Sequence, residues 1–242
     1  MRLARLYAPD LPNLVVVSFL PHLSARWASD LGAAPFDLIV KWLGEHSAAE
    51  GLRVHGWSLT PQALRMVATP AHRQSLARTI QGVGRRLSAH VGGGSAYAGR
   101  YRSTLIEPGL WVLPCLIWVE SAPTRDGYAP DPAGWRWSSA STHTGLSGPG
   151  CAFLNYHHDY WSFGNTPFDR QARYKERLQA GLSGEQTQTI ETAVRGQWAL
   201  GSERFSAGLA GIATRRVRPA PRGRPRKTGA LAIDSKADAG AD

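Results

Sequence analysis

The chain predicts an α+β fold: an antiparallel sheet with helices on one face, followed by a helical region and a disordered basic tail. Two observations carry that reading. Short apolar or alternating runs and longer amphipathic runs follow one another in the order β-α-β-β-α-β-α, and the two middle strands lie close enough for a hairpin. This is the order of a ferredoxin-like sandwich. In addition, 242 residues at 43% hydrophobic content can bury a substantial core, in one domain or two.

The elements follow in turn. Leu14 to Leu20 is Val-rich and reads as a buried strand. Phe36 to Ala49 reads as a helix, with Phe36, Ile39, Val40 and Leu43 on one side, and Gly51 ends it. Arg53 to Leu59 and Leu64 to Thr69 are strands around Thr60-Pro61-Gln62. Residues 72–91 carry a single stripe of Leu76, Ile80, Val83, Leu87 and Val91, a helix stopped by Gly92-Gly93-Gly94. Arg78 and Arg85 project from its other side, with Arg86 beside them. Tyr101 to Glu107 is a fourth strand. Residues 110–119 are apolar throughout; they are buried, but periodicity alone leaves helix and strand open, and Pro114 argues against a central strand. Residues 143–166, rich in Gly, Ser, Asn, His and aromatics, read as a long connection. Helices then start at Thr166-Pro167, at the capping box Ser183-Gly184-Glu185-Gln186, and at Ser202. The division expected is a sheet domain over 1–142, a connection over 143–166, a helical region over 167–213 and a tail over 214–242.

Charge is distributed unevenly. The chain carries a net +10; residues 214–242 hold eight Lys and Arg against three Asp and Glu, so half the net charge sits in the last eighth of the sequence. Within it, Arg222-Gly223-Arg224-Pro225-Arg226-Lys227 has the form of an AT-hook: Gly allows close approach, Pro fixes an extended course, and arginines reach along a narrow minor groove. Arg215, Arg216 and Arg218 precede it. A basic chain with such an arm favours a nucleic-acid partner. No apolar run approaches the ~20 residues that span a bilayer. Pro9, Asp10, Pro12 and Asn13 interrupt the place where a signal peptide needs its apolar core. Cys115 and Cys151 form neither a disulfide framework nor a metal-ligand spacing, so the expected location is the cytoplasm, in association with a bacterial nucleoid.

Three segments resemble the REP-associated tyrosine transposases, a branch of the single-tyrosine HUH transposases. They are His55-Gly56-Trp57-Ser58-Leu59-Thr60-Pro61 with Gln62 to Pro70, Gly99-Arg100-Tyr101-Arg102-Ser103, and Cys115 to Pro123 with Trp135-Arg136-Trp137-Ser138-Ser139. Leu200 to Phe205 and the Gly-Arg-Pro-Arg-Lys ending are similar to the C-terminal part of longer members. The resemblance implies single-stranded DNA cutting at a hairpin, with two histidines on alternate strand positions holding a divalent ion and a tyrosine attacking the phosphate.

On that resemblance the histidine pair falls on Ala63 and Arg65, and the nucleophile falls on Trp118. Neither an alanine nor an arginine is a metal ligand, and an indole has no nucleophilic oxygen. No catalytic residue and no metal site are therefore expected at these positions, and no cofactor; Mg²⁺ or Mn²⁺ enters only if an active site has moved. Tyr101 is the replacement nucleophile to weigh, although its flanking Arg100 and Arg102 suit packing or DNA contact better. His55 reads as a histidine bonded to backbone, and His157-His158-Asp159 as neighbours on a loop that diverge rather than converge on one ion. Arg65 can instead stand in for a metal's charge toward a phosphate.

The expected function is DNA binding to hairpin or A·T-rich DNA on a transposase-like scaffold. Its contacts are expected from Arg65, Arg100, Tyr101, Arg102, Arg215, Arg216, Arg218, Arg222, Arg224, Arg226 and Lys227. The alternatives are an active transposase with relocated catalytic residues and an RNA-binding regulatory module. A homodimer is compatible with the sequence.

Overall fold

The computed structural model describes residues 5–146, 151–213 and 215–219. Strands β1 (Asn13–Ser18), β2 (Leu52–Leu59), β3 (Ala63–Pro70) and β4 (Arg102–Leu105) form one sheet in the order β2-β3-β1-β4, with every pair antiparallel. Helix α1 (Pro21–Ser29) and helix α2 (Phe36–Ala49) join β1 to β2, and α3 (Ser75–His90) joins β3 to β4. This is the α+β, ferredoxin-like order read from the sequence. Helix α1 went unread there: it has only Leu23 and Trp27 as buried anchors, too few for a visible stripe.

Sheet alternation explains how one strand serves two cores. Val15 and Val17 of β1 join Trp57, Leu64 and Met66 in a core under α1, α2 and α3. Leu14 and Val16 turn to the other face and meet a second core. Residues 112–120 cover that face as helix α4 (Val112–Glu120), settling the ambiguous apolar run. Pro114 lies within its first turn, where a missing N–H costs little. The second core also takes in Tyr160 and residues of α8 (Pro167–Ala180) and α9 (Gly184–Gly196). So the crossover helices occupy one face and α4 with the C-terminal helices the other. The three caps sit where the sequence put them: Thr166 accepts from Asp169 N–H, Ser183 and Gln186 close a capping box, and Ser202 accepts from Phe205 N–H at the start of α10 (Glu203–Ala210).

Between α4 and α8 lie three short helices, α5 (Ala122–Arg125), α6 (Ala140–His143) and α7 (His158–Trp161). The stretch read as a connection is tied down at β2: Asn155 N–H donates to Val54 O at 2.7 Å. Residues 137–139 pair with the other end of the same strand, where Leu59 N–H donates to Trp137 O and Ser139 N–H to Trp57 O, each at 2.9 Å. At the opposite margin, Leu200 N–H donates to Leu105 O at 2.8 Å and Glu107 N–H to Leu200 O at 2.9 Å.

Candidate nucleic-acid interface

Register places the positions suggested by the transposase resemblance on one face. Arg65 pairs with Val16 on one side and Ser58 on the other, and Val16 pairs in turn with Arg102. Directly paired residues share a face, so Ser58, Arg65, Val16 and Arg102 form a row across the sheet. That face is the α4 face, because the Ser58 hydroxyl donates to Val119 O at 2.6 Å. Ala63 lies two residues before Arg65 and is buried. Trp118 of α4 stands over this row. The Arg65 guanidinium is 6.0 Å and the Arg125 guanidinium 4.6 Å from its ring centroid.

The three positions thus come together, but with chemistry unlike that of the family. Arg65 Nη1 lies 2.9 Å from Asp126 Oδ2 and donates to Thr60 Oγ1 at 3.1 Å. The side chains of Arg65 and Asp126 are 11% and 15% exposed. Arg65, read from the sequence as able to stand in for a metal's charge toward a phosphate, has its own charge paired with Asp126. Arg125 donates to Trp118 O at 3.1 Å, and burial, together with the nearby Arg65, lowers its pKa. Trp118 is a core residue, and its Nε1 has no hydrogen-bond partner among the described residues. Two guanidinium groups on the indole make a cation–π stack. Neither a metal-ligand pair nor a nucleophilic oxygen is supplied by Ala63, Arg65 and Trp118.

Tyr101 is also unlike an activated nucleophile. It is buried under α3, with the Arg5 guanidinium 3.5 Å over its ring. Burial raises its hydroxyl pKa, partly offset by Arg5 and Arg100. A raised pKa keeps the oxygen protonated, the opposite of what attack on phosphorus requires. His55 bonds Asn155 O at 2.7 Å and Thr69 Oγ1 at 2.8 Å through its two ring nitrogens, and burial lowers its pKa to about 4.

Unbalanced positive charge gathers elsewhere. A groove of about 970 Å³ between α3 and the segment before β4 is lined by Arg5, Arg85, Arg100, Tyr97 and Tyr101, and no Asp or Glu lines it among the described residues. A second groove of about 430 Å³ shares Arg5 and Tyr101 and adds Arg73 and Tyr7, again without a carboxylate among the described residues. On α3, Arg78 pairs with Glu50 and Arg86 with Glu45, whereas Arg85, and Arg73 in the turn before the helix, form no ion pair among the described residues. The structure separates the Arg100-Tyr101-Arg102 run: Arg100 and Tyr101 line the larger groove, while Arg102 is exposed in the row of Arg65 on the opposite face. Sequence reasoning missed Arg5 and Arg73, since nothing local connects either to Tyr101.

The start of the tail is anchored. Val217 is buried, Ala199 N–H donates to its carbonyl at 2.9 Å, Arg215 stacks 5.3 Å from the Trp198 ring centroid, and Arg218 bonds Ser206 and Glu203. Arg216 is exposed. Arg222, Arg224, Arg226 and Lys227 lie outside the described residues. No described helix is long and apolar enough to cross a membrane.

Another feature absent from the sequence reading is a buried carboxylate on α4. Glu120 is fully buried; its Oε1 meets His143 Nδ1 at 2.6 Å and the Ser139 hydroxyl, and its Oε2 accepts from Tyr174 O–H at 2.7 Å. It links α4, α6 and α8.

No family model matches the chain, and no curated protein matches it. Among solved structures the chain is similar to a REP-associated tyrosine transposase bound to a REP hairpin, with a TM-score of 0.51, 11% sequence identity, and coverage of 61% of this chain and 88% of that one. At that identity the likeness is one of fold.

Proposed function

We propose that this protein binds DNA on a scaffold shared with single-tyrosine transposases and does not cut it. The observation that carries the reading is the contrast between two sites. Where that chemistry would sit, Arg65, Asp126 and Trp118 close on one another. Around Tyr101, arginines line two adjoining grooves with no carboxylate among the described residues. Such grooves attract a polyanion and release its counterions on contact. The DNA contacts are assigned to Arg5, Arg73, Arg85, Arg100 and Tyr101, with Arg102 and Arg216 at the margins and Arg222, Arg224, Arg226 and Lys227 as a minor-groove arm. Hairpin or A·T-rich DNA is the ligand that suits a stacking surface combined with an AT-hook-like arm. A location with the chromosome accompanies this reading.

Titration of labelled DNA hairpins with the purified chain, over a series of salt concentrations, tests the binding half. Submicromolar affinity that falls steeply with salt is expected, with preference for DNA over RNA hairpins of equal length. Absence of binding at low ionic strength would refute it. Incubation with single-stranded hairpin DNA and Mg²⁺ or Mn²⁺ tests the other half: no covalent adduct is expected, and an adduct lost in Tyr101→Phe would establish an active enzyme.

A further inference from the structure

His157, His158 and Asp159 lie on adjacent positions, where side chains ordinarily diverge. The backbone explains why they do not. His157 is the extended N-cap of α7, at φ −75° and ψ 149°, and the helix starts at His158. The switch from extended to helical conformation brings both rings to one side, with centroids 4.2 Å apart and planes 36° apart. One carboxylate oxygen faces both: Asp159 Oδ1 is 3.4 Å from His157 Nδ1 and 2.7 Å from His158 Nε2. The three donor atoms lie within 4.8 Å of one another.

From this geometry we propose a metal site in which His157, His158 and Asp159 bind one first-row divalent ion of the zinc class. In tetrahedral coordination with bonds of 2.0–2.1 Å, neighbouring ligand atoms stand roughly 3.3 Å apart. The His157–Asp159 separation already has that value. His158 sits at hydrogen-bond distance and has to withdraw by about half an ångström; its side chain is 71% exposed and free to do so. His157 Nδ1 accepts from Asp159 N–H at 3.2 Å, which places the proton on Nε2; that long bond is given up when Nδ1 takes the ion. Asp159 Oδ2 accepts from Gly109 N–H at 2.7 Å, an outer contact that fixes the carboxylate. His55 packs edge-on against His157 at 4.9 Å, and with both its nitrogens engaged it supports the ring without competing for the ion. Two imidazoles and one carboxylate suit Zn²⁺ or Co²⁺ over Mg²⁺, which prefers oxygen ligands. The fourth position, on the exposed side at His158, belongs to water. A bound ion fastens α7 and the segment paired with Val54 to the turn before α4, so its role is structural and independent of the DNA reading.

The test is calorimetric titration of the chelator-stripped full-length chain with Zn²⁺ and with Co²⁺. One ion per chain is expected, with the visible absorption of four-coordinate Co²⁺ and a rise in melting temperature. His158→Ala, a change at an exposed side chain, should retain the fold by circular dichroism and lower the affinity at least about 100-fold, the upper end of the effect of removing an outer-sphere partner. Asp159→Asn should do likewise. Absence of saturable binding, binding undiminished in His158→Ala, or Mg²⁺ bound more tightly than Zn²⁺ would overturn the site.

Discussion

Asp126 holds Arg65 against Thr60, and each charge depends on the other for its balance. Removing one member leaves the other charge stranded in a largely dry position. Asp126→Ala should therefore destabilise the protein by about 2–3 kcal/mol, somewhat less than for a fully buried pair, as read from urea unfolding. Replacing both residues with apolar ones of similar size should recover most of that stability. A second residue-scale device is Glu120. Tyr174→Phe takes away the donor to Oε2 and should cost about 1–3 kcal/mol in the same assay. Arg65 was legible as a departure from the histidine that the transposase resemblance implies. Its partner was not legible, because Asp126 lies 61 residues away and charge pairing across that separation leaves no mark in a single sequence. Glu120 was hidden in the same way: its three partners come from α6, α8 and the residue before α6.

Among the elements, β2 is closely constrained. Its pairing with β3 shifts between Val54 and Gly56, and α4 crosses directly above. A Cβ on Gly56 would stand 2.4 Å from Leu116 Cδ2. Gly56→Ala should cost about 1–3 kcal/mol through overpacking, visible as a lower denaturant midpoint at unchanged slope. Helix α3 shows the opposite division of labour: its apolar stripe was read directly from period, and its arginines sort only in three dimensions. Arg86 is neutralised by Glu45, and Arg85 opens into the groove beside Arg100. Arg85→Ala and Arg100→Ala should each reduce the slope of log affinity against log salt for hairpin DNA by about one unit, while Arg86→Ala should change it by much less. The elements with strong periodicity or caps were legible; α1 and α7 were not, because tertiary packing rather than a local pattern holds helices this short.

For the molecule as a whole, the sheet is a shared wall between two cores, and the C-terminal helices complete the second one. The residues that precede the basic arm dock at Val217. Deleting residues 221–242 preserves that base and should weaken DNA binding, lowering the salt slope by about one unit for each phosphate the arm no longer neutralises. A slope unchanged by the deletion would leave the grooves as the sole binding surface. Fold class and net charge distribution were readable from the sequence because both are sums over many residues; the groove was not, because Arg5, Arg73, Arg85 and Arg100 converge only after folding. The strips laid along β2 and beside β4 have a consequence for self-association. The main-chain groups of Val54, Trp57 and Leu59 on one rim and of Leu105 on the other are already engaged, so a second copy cannot extend the sheet at those positions. A strand added at those positions would first have to displace these bonds, which disfavours edge-to-edge growth into fibres.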